Sequence, residues 1–362
     1  MKIKRIEYWT VEMPLVEPYR IAYETVDKAT NIFLRLETDG PHCGFACTAP
    51  DLEVTGETPR SVLSGLEKYV VPLLVGEDPL RIYMHLEKLK ELAGRKPALI
   101  ALVDIALHDL LARVAGLPLY RILGGYRQCI PTSVTIGILP WQETLARAEK
   151  WFSAGFSILK IKGGVELEED IERIRKLRER FGNEFELRFD ANQGYSKEEA
   201  LRFFRETESC QVAIFEQPTP RAQQDLLGEI THSVPLRIMA DESISDLLDA
   251  FHLARNDWVD MLNIKLIKVG GIAEGLRILS VAKAAKLEAM VGCLDESGLG
   301  IAAGLHFALS RPHITCADLD GHLDLLDDPA AEAVLIRKGI MYPQDQPGLG
   351  FVLEKRRSFP VA

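Results

Sequence analysis

Six cysteines in 362 residues, at positions 43, 47, 129, 210, 293 and 316, are too sparse for a disulfide scaffold, and none form a C-x-x-C pair. Cys43 and Cys47 stand closest, but without paired C-x-x-C spacing elsewhere a zinc site is not expected there. Basic blocks are missing as well. Lys and Arg number 43 against 53 Asp and Glu, a net charge of -10, and no basic run could track a phosphate backbone or an anionic membrane surface. Neither nucleic acid nor membrane is therefore expected as a partner. Long apolar runs are also absent: residues 98–107 are interrupted by Asp104 and fall short of the roughly 18 apolar residues a membrane span needs. The opening MKIKRIEYWTVEMPL reaches charge and proline before any apolar signal region, so a reducing cytoplasm is the expected location.

What remains is a chain with 47% apolar and 27% charged residues, long enough for about two domains and a sizeable core. Its acidity suits metals or cationic ligands. The first part reads as a strand at 3–11, a polar loop at about 14–30 and a strand at 31–37 ended by Thr38-Asp39-Gly40. Helical periodicity follows at 59–70, 82–92 and 98–115, the last stopped by Gly116 with Pro118 beyond. Residues 1–125 are thus expected to form an α+β capping domain.

From Pro131 the texture changes to short β-branched or apolar runs, each followed by a helical stretch. The runs lie at 133–136, 158–161, 186–189, 212–215, 236–240, 261–264, 289–293 and 314–317, giving eight strands. The alternation predicts an α/β fold, a modified TIM-like (β/α) barrel over 126–325. Residues 326–362 are expected to return to the capping domain, with a last strand at 348–353. An open dinucleotide-binding sheet uses the same alternation, and Gly298-x-Gly300-x-x-Ala303 offers its fingerprint. The chain ends at 362, too soon after it to build a nucleotide-binding half.

Barrel chemistry sits at the C-terminal ends of strands, and here those ends are charged. They carry Lys160 and Lys162, Asp190, Glu216, Asp241 and Lys265, at steps of 28, 26, 25 and 24 residues from 162, one βα unit each time. Singly, each is ordinary: a solvated lysine, a helix N-cap or a turn residue. Their registration on successive strands is not. Three neighbouring carboxylates repel one another unless a cation neutralises them, and hard oxygen ligands without His or Cys select Mg²⁺, or Mn²⁺. The second and sixth strands face one another in a ring of eight, so Lys162 and Lys265 would meet a substrate carbon from opposite sides. One would remove a proton α to a carboxylate and the other return it, with an amine kept neutral by adjacent positive charge from Lys160 and the metal. Lys160 is placed to hold the substrate carboxylate.

The motifs K-x-K, D-x-N, E-Q-P, A-D-E-S and N-x-K, ending in Lys162, Asn192, Pro218, Ser243 and Lys265, resemble the muconate lactonizing enzyme-like branch of the enolase superfamily along essentially the whole chain. Lysine bases paired with Mg²⁺ are an established pattern of that superfamily. The resemblance implies Lys162 and Lys265 as acid/base catalysts, Lys160 beside them, Asp190, Glu216 and Asp241 as Mg²⁺ ligands, and often a homo-oligomer. No histidine stands near the seventh strand, unlike the mandelate racemase-like branch. The Asp318-x-Asp320 at the eighth strand is similar to the pair with which dipeptide epimerases hold a substrate α-ammonium, and two carboxylates on one side of an extended segment suit one ammonium. Asp295 and Thr135 are expected to face the substrate.

Where epimerases acting on Ala-Glu carry an arginine, alignment places Glu24; with Asp51, Glu53 and Asp295 this points to a cationic dipeptide containing Lys or Arg. The expected activity is a metal-dependent dipeptide epimerisation by two-base 1,1-proton transfer through an Mg-stabilised enediolate. Alternatives are an N-acylamino acid racemase, a muconate cycloisomerase or an o-succinylbenzoate synthase of the same superfamily. A more distant one is a non-catalytic peptide-binding paralogue.

Overall fold

Residues 1–22 and 25–353 are described by a computed structural model of the chain. It opens with an antiparallel hairpin, β1 (Ile3–Arg20) and β2 (Thr25–Thr38), extended by β3 (Cys43–Thr48). The loop expected at 14–30 is therefore mostly strand. Pairing continues through Pro14↔Lys28 and, after a register shift, Tyr19↔Val26 and Arg20↔Thr25. The polar residues and Pro14 suggested a loop, but Leu15 and Ala29 of this stretch, with Met13 just before it, are buried and pack with Leu325 from beyond the barrel. The edge of β1 is also taken up, since Val16 N donates to Asp324 O and Leu326 N to Pro14 O.

The inner face of this sheet lies on the helix Pro97–Ala115, whose residues are buried on nearly every side. One of the polar residues that interrupt its apolar face, Asp104, has a structural role. Asp104 is fully buried and accepts the backbone N–H groups of Ile272 and Ala273, the otherwise orphaned donors at the start of the helix Ile272–Ala285. Gly271, at φ +103°, lets that turn approach Asp104, where a Cβ would fall 2.5 Å from Oδ2. A helix of the capping region thus fastens one of the barrel.

The barrel strands are β5 (Val134–Ile136), β6 (Ile158–Lys162), β7 (Glu186–Asp190), β8 (Val212–Glu216), β9 (Arg237–Ala240), β10 (Met261–Lys265), β11 (Glu288–Gly292) and β12 (Ile314–Asp318), preceded by the short β4 (Ile130–Pro131). They form one parallel sheet in chain order, closed by a bridge between Thr132 and Ala317 and by Ser133 N donating to Ala317 O. Each expected strand falls within two residues of an observed one. Beneath the strand ends the interior is filled by Ile214, Met239, Met261 and Met290.

After β12 the chain forms β13 (Val334–Arg337) and β14 (Ile340–Pro343), the latter pairing with β4. The strand expected at 348–353 is not present among the described residues: Gly348 makes a single bridge to Pro118. The segment is held instead by side chains of the long helix, with Leu349 N donating to Asp109 Oδ1 at 2.6 Å and Arg113 Nη2 to Phe351 O at 2.6 Å. No helix among the described residues is long and apolar enough to cross a membrane.

Candidate active site

Parallel pairing sets the strand ends level. Lys162 pairs with Asp190, Asp190 with Glu216, Lys265 with Gly292, and Gly292 with Asp318. Carboxylate oxygens of Asp190, Glu216 and Asp241 lie within 4.8 Å of one another and all three residues are buried. This is the trio expected from the strand spacing. Such a set of hard oxygen donors fits a divalent cation such as Mg²⁺.

Lysines surround the trio. Lys160 Nζ lies 3.1 Å from Asp190 Oδ2, 2.8 Å from Glu216 Oε2 and 2.9 Å from Asp318 Oδ2. Lys162 donates to Asp190 Oδ2 at 2.7 Å, and Lys265 Nζ is 2.8 Å from Asp241 Oδ2. Burial works against the charge on Lys160, but Asp318, Glu216 and Asp190 outweigh it and hold the amine well above its ordinary range. Burial likewise opposes the charge on Lys265, and Asp241 more than restores it, holding this amine above its ordinary range.

The mutual repulsion expected of the trio falls on one member. Burial and then Asp190 push Glu216 up to about 7. Burial raises Asp190 and Asp241 too, but their lysines bring both below the usual range.

Several partners escaped the sequence reading. Lys268, one helical turn past Lys265, is buried and bonds the Asp241 side chain and carbonyl. Asn263 Nδ2 donates to Glu216 Oε1 at 2.7 Å, and the absence of a side chain at Gly292 makes room for it, since a Cβ there would lie 2.5 Å from Asn263 Oδ1. The spacing in NIKLIK, and the inward phase of Asn263 on β10, were the available signals.

Above the trio lies a cavity of about 380 Å³ lined by Lys160, Lys162, Lys265, Asp241, Asp318, Asp320, Asp295, Thr135 and Asp51, and roofed by Tyr19 and Ile21 of the β1 end. Its walls carry nine carboxylates and five basic side chains. Two of the five, Lys28 and Arg147, are engaged by Glu12 and Glu17.

Asp318 accepts from Ser133 Oγ at 2.6 Å besides pairing with Lys160, and although burial raises it, Lys160 brings it down to about 2. Asp320 accepts the Thr135 backbone N–H and has no ion-pair partner among the described residues; burial, then Asp318, push it up to about 7. Asp295 accepts from Tyr19 Oη at 2.8 Å, and burial raises it to about 6. Tyr19 is a further residue the sequence reading missed, hidden in the expected loop. Asp51 caps the short helix Leu52–Thr55 through Val54 N while facing the cavity. Glu53 is exposed on that helix and does not line the cavity, and Glu24 lies outside the described residues. The glycines of the nucleotide-like fingerprint pack closely: Gly298 lies against Ala330 O and Gly300 against Glu296.

Comparison with known proteins agrees with this arrangement. Residues 5–124 match the mandelate racemase/muconate lactonizing enzyme N-terminal domain, and residues 143–357 match the enolase C-terminal domain-like family. The L-Lys-D/L-Arg epimerase of Desulforapulum autotrophicum is 42% identical over 353 residues, 97% of this chain and 99% of that protein. The dipeptide epimerase from Methylococcus capsulatus, solved in complex with Mg and the dipeptide L-Arg-D-Lys, has a TM-score of 0.93 and 38% identity, covering 97% of this chain and 99% of that one. A substrate-liganded L-Ala-D/L-Glu epimerase from Bacillus subtilis has a TM-score of 0.94 and 35% identity, covering 97% and 98%.

Proposed function

The chain belongs to the mandelate racemase/muconate lactonizing enzyme family of the enolase superfamily, and from that premise we propose that it is a metal-dependent dipeptide epimerase preferring Lys- or Arg-containing dipeptides. The observation that carries the reading is the placement of Lys162 and Lys265 on strands four apart in an eight-stranded ring, both lining a cavity shared with Asp241, Asp318 and Asp320. Each lysine then acts as base toward one epimer and as acid toward the other, inverting the α-carbon between them. Lys160, pinned among Asp190, Glu216 and Asp318, orients the substrate carboxylate and keeps its own proton.

Asp190, Glu216 and Asp241 would hold Mg²⁺, a Lewis acid that stabilises the negative charge growing on the substrate carboxylate as the α-proton leaves. Asp320, beside Asp318, receives the α-ammonium, and the Thr135 N–H fixes its carboxylate. The excess of acids over bases around the cavity, with Asp51 and Asp295 lacking an ion-pair partner among the described residues, favours cationic side chains and disfavours a glutamate. The D-x-D pair also speaks against an acyl-succinyl substrate, which carries no ammonium. Six free thiols fit a reducing cytoplasm, and a homo-oligomer, which family resemblance suggests, is read by sedimentation.

An assay of an L,L-dipeptide library in D₂O, read by mass spectrometry, tests the proposal. Deuterium should enter Lys- and Arg-containing dipeptides first. Equal turnover of acidic and basic dipeptides would remove the cationic preference, and no exchange in any dipeptide with Mg²⁺ present would remove the epimerase reading.

A further inference from the structure

Gln217 stands between the strand ends that carry the carboxylate trio, yet it does not line the cavity. It is fully buried and adopts a left-handed backbone, φ +34°, which a non-glycine residue keeps only when its surroundings compel it. Those surroundings are its hydrogen bonds. The side-chain oxygen accepts from Asp241 N at 2.9 Å and Ser243 N at 3.1 Å, while Nε2 donates to Thr219 O at 2.8 Å and Ser243 Oγ at 2.9 Å. All four capacities of the amide are used, and its orientation is fixed because two N–H groups face one end and two acceptors the other. The backbone contributes two more bonds: Gln217 N donates to Met239 O at 2.8 Å, and Gln217 O accepts from Gln193 N at 2.8 Å. One residue thereby ties the loop after β7, the end of β8 and the loop after β9.

Asp241 is the ligand that most needs such a tie. The pairing of β8 with β9 ends at Glu216↔Met239, so Asp241 lies past the ladder. Gln217 Oε1 takes the place of the missing strand partner for the Asp241 N–H. Lys268 holds the Asp241 carbonyl and Oδ1 from the other side, which leaves Oδ2 directed at Lys265 and the trio.

We propose that Gln217 is a positioning residue that sets the Glu216 and Asp241 carboxylates at the spacing a divalent cation requires. The inference rests on the reading of the trio as a metal site. Residues that orient ligands typically change metal affinity by about 10–100-fold when lost.

The test is Mn²⁺ binding to the full-length protein without substrate, followed by electron paramagnetic resonance of the free ion. Gln217→Met removes the amide, and Gln217→Glu keeps an acceptor oxygen for the Asp241 and Ser243 N–H groups while losing the donor end. The expected result is about a tenfold or greater loss of affinity in Gln217→Met, a smaller loss in Gln217→Glu, and activity of Gln217→Met that recovers in part as metal is raised. If Gln217→Met does not fold by circular dichroism, Ser243→Ala, which removes one acceptor of the amide, is read the same way and is expected to weaken Mn²⁺ several-fold. Wild-type Mn²⁺ affinity in the folded Gln217→Met protein, or in Ser243→Ala where that variant is the one read, overturns the inference while leaving the metal site standing. A wild type that binds no Mn²⁺ overturns the metal reading itself, and the inference with it.

Discussion

Asp320 shows how much chemistry one carboxylate can hold in reserve. Burial and the neighbouring Asp318 push it up to about 7, so near neutrality it is divided between acid and anion, and a substrate ammonium binds only the anion. The sign follows: as pH falls through about 7 the free protein loses the ionised form, and kcat/KM for a dipeptide should fall with it. In Asp320→Asn that limb of the pH profile should vanish and KM should rise about tenfold or more, while an N-acetylated dipeptide should be a poor substrate even for wild type; a pH–rate series on both proteins checks this. At this scale the sequence was legible wherever a charge closed a strand, because the step between βα units fixes which end of the barrel it occupies. The roles of Gln217 and Tyr19 were not legible, since each comes from a partner on another strand or loop, whereas Asn263 and Lys268 left a signal only in their spacing from Lys265.

Among elements, the hairpin of β1 and β2 reaches from the cap to the cavity, and its contact is specific: Tyr19 Oη to Asp295, with Asn31 Nδ2 donating to the Asp295 carbonyl at 3.0 Å. Tyr19→Phe should raise KM for cationic dipeptides several-fold with little change in kcat or in melting temperature, read by steady-state kinetics alongside thermal unfolding. The fastening of Ile272–Ala285 by Asp104 lies away from the cavity and belongs to stability. Asp104→Ala leaves two buried N–H groups without their acceptor and should lower unfolding free energy by about 2–4 kcal/mol in urea titrations. The barrel strands were readable because buried parallel strands are short β-branched or apolar runs bounded by polar turns. The hairpin was misread as a loop because its second half owes its strand geometry to Leu325 and the 324–326 backbone, some three hundred residues away in sequence.

Across the whole molecule, a net charge of -10 and a cavity with nine acids to five bases make an attractive field for a cationic ligand. Raising ionic strength should therefore lower kcat/KM for Arg- or Lys-containing dipeptides and leave an Ala-Glu dipeptide unchanged or improved, because screening removes attraction in one case and repulsion in the other. EDTA should abolish turnover reversibly, and Mg²⁺ at about 100 times its dissociation constant should stabilise the fold by about 2.7 kcal/mol, visible as a raised melting temperature.

The most direct trial of the central claim is deuterium exchange by Lys162→Ala and Lys265→Ala, each offered both epimers of a cationic dipeptide in D₂O and followed by proton NMR. Neither variant should epimerise, and each should wash the α-proton from one epimer only, the two variants choosing opposite epimers. If both exchange the same epimer, or if either epimerises at the wild-type rate, the opposed pair of lysines is not the catalytic device.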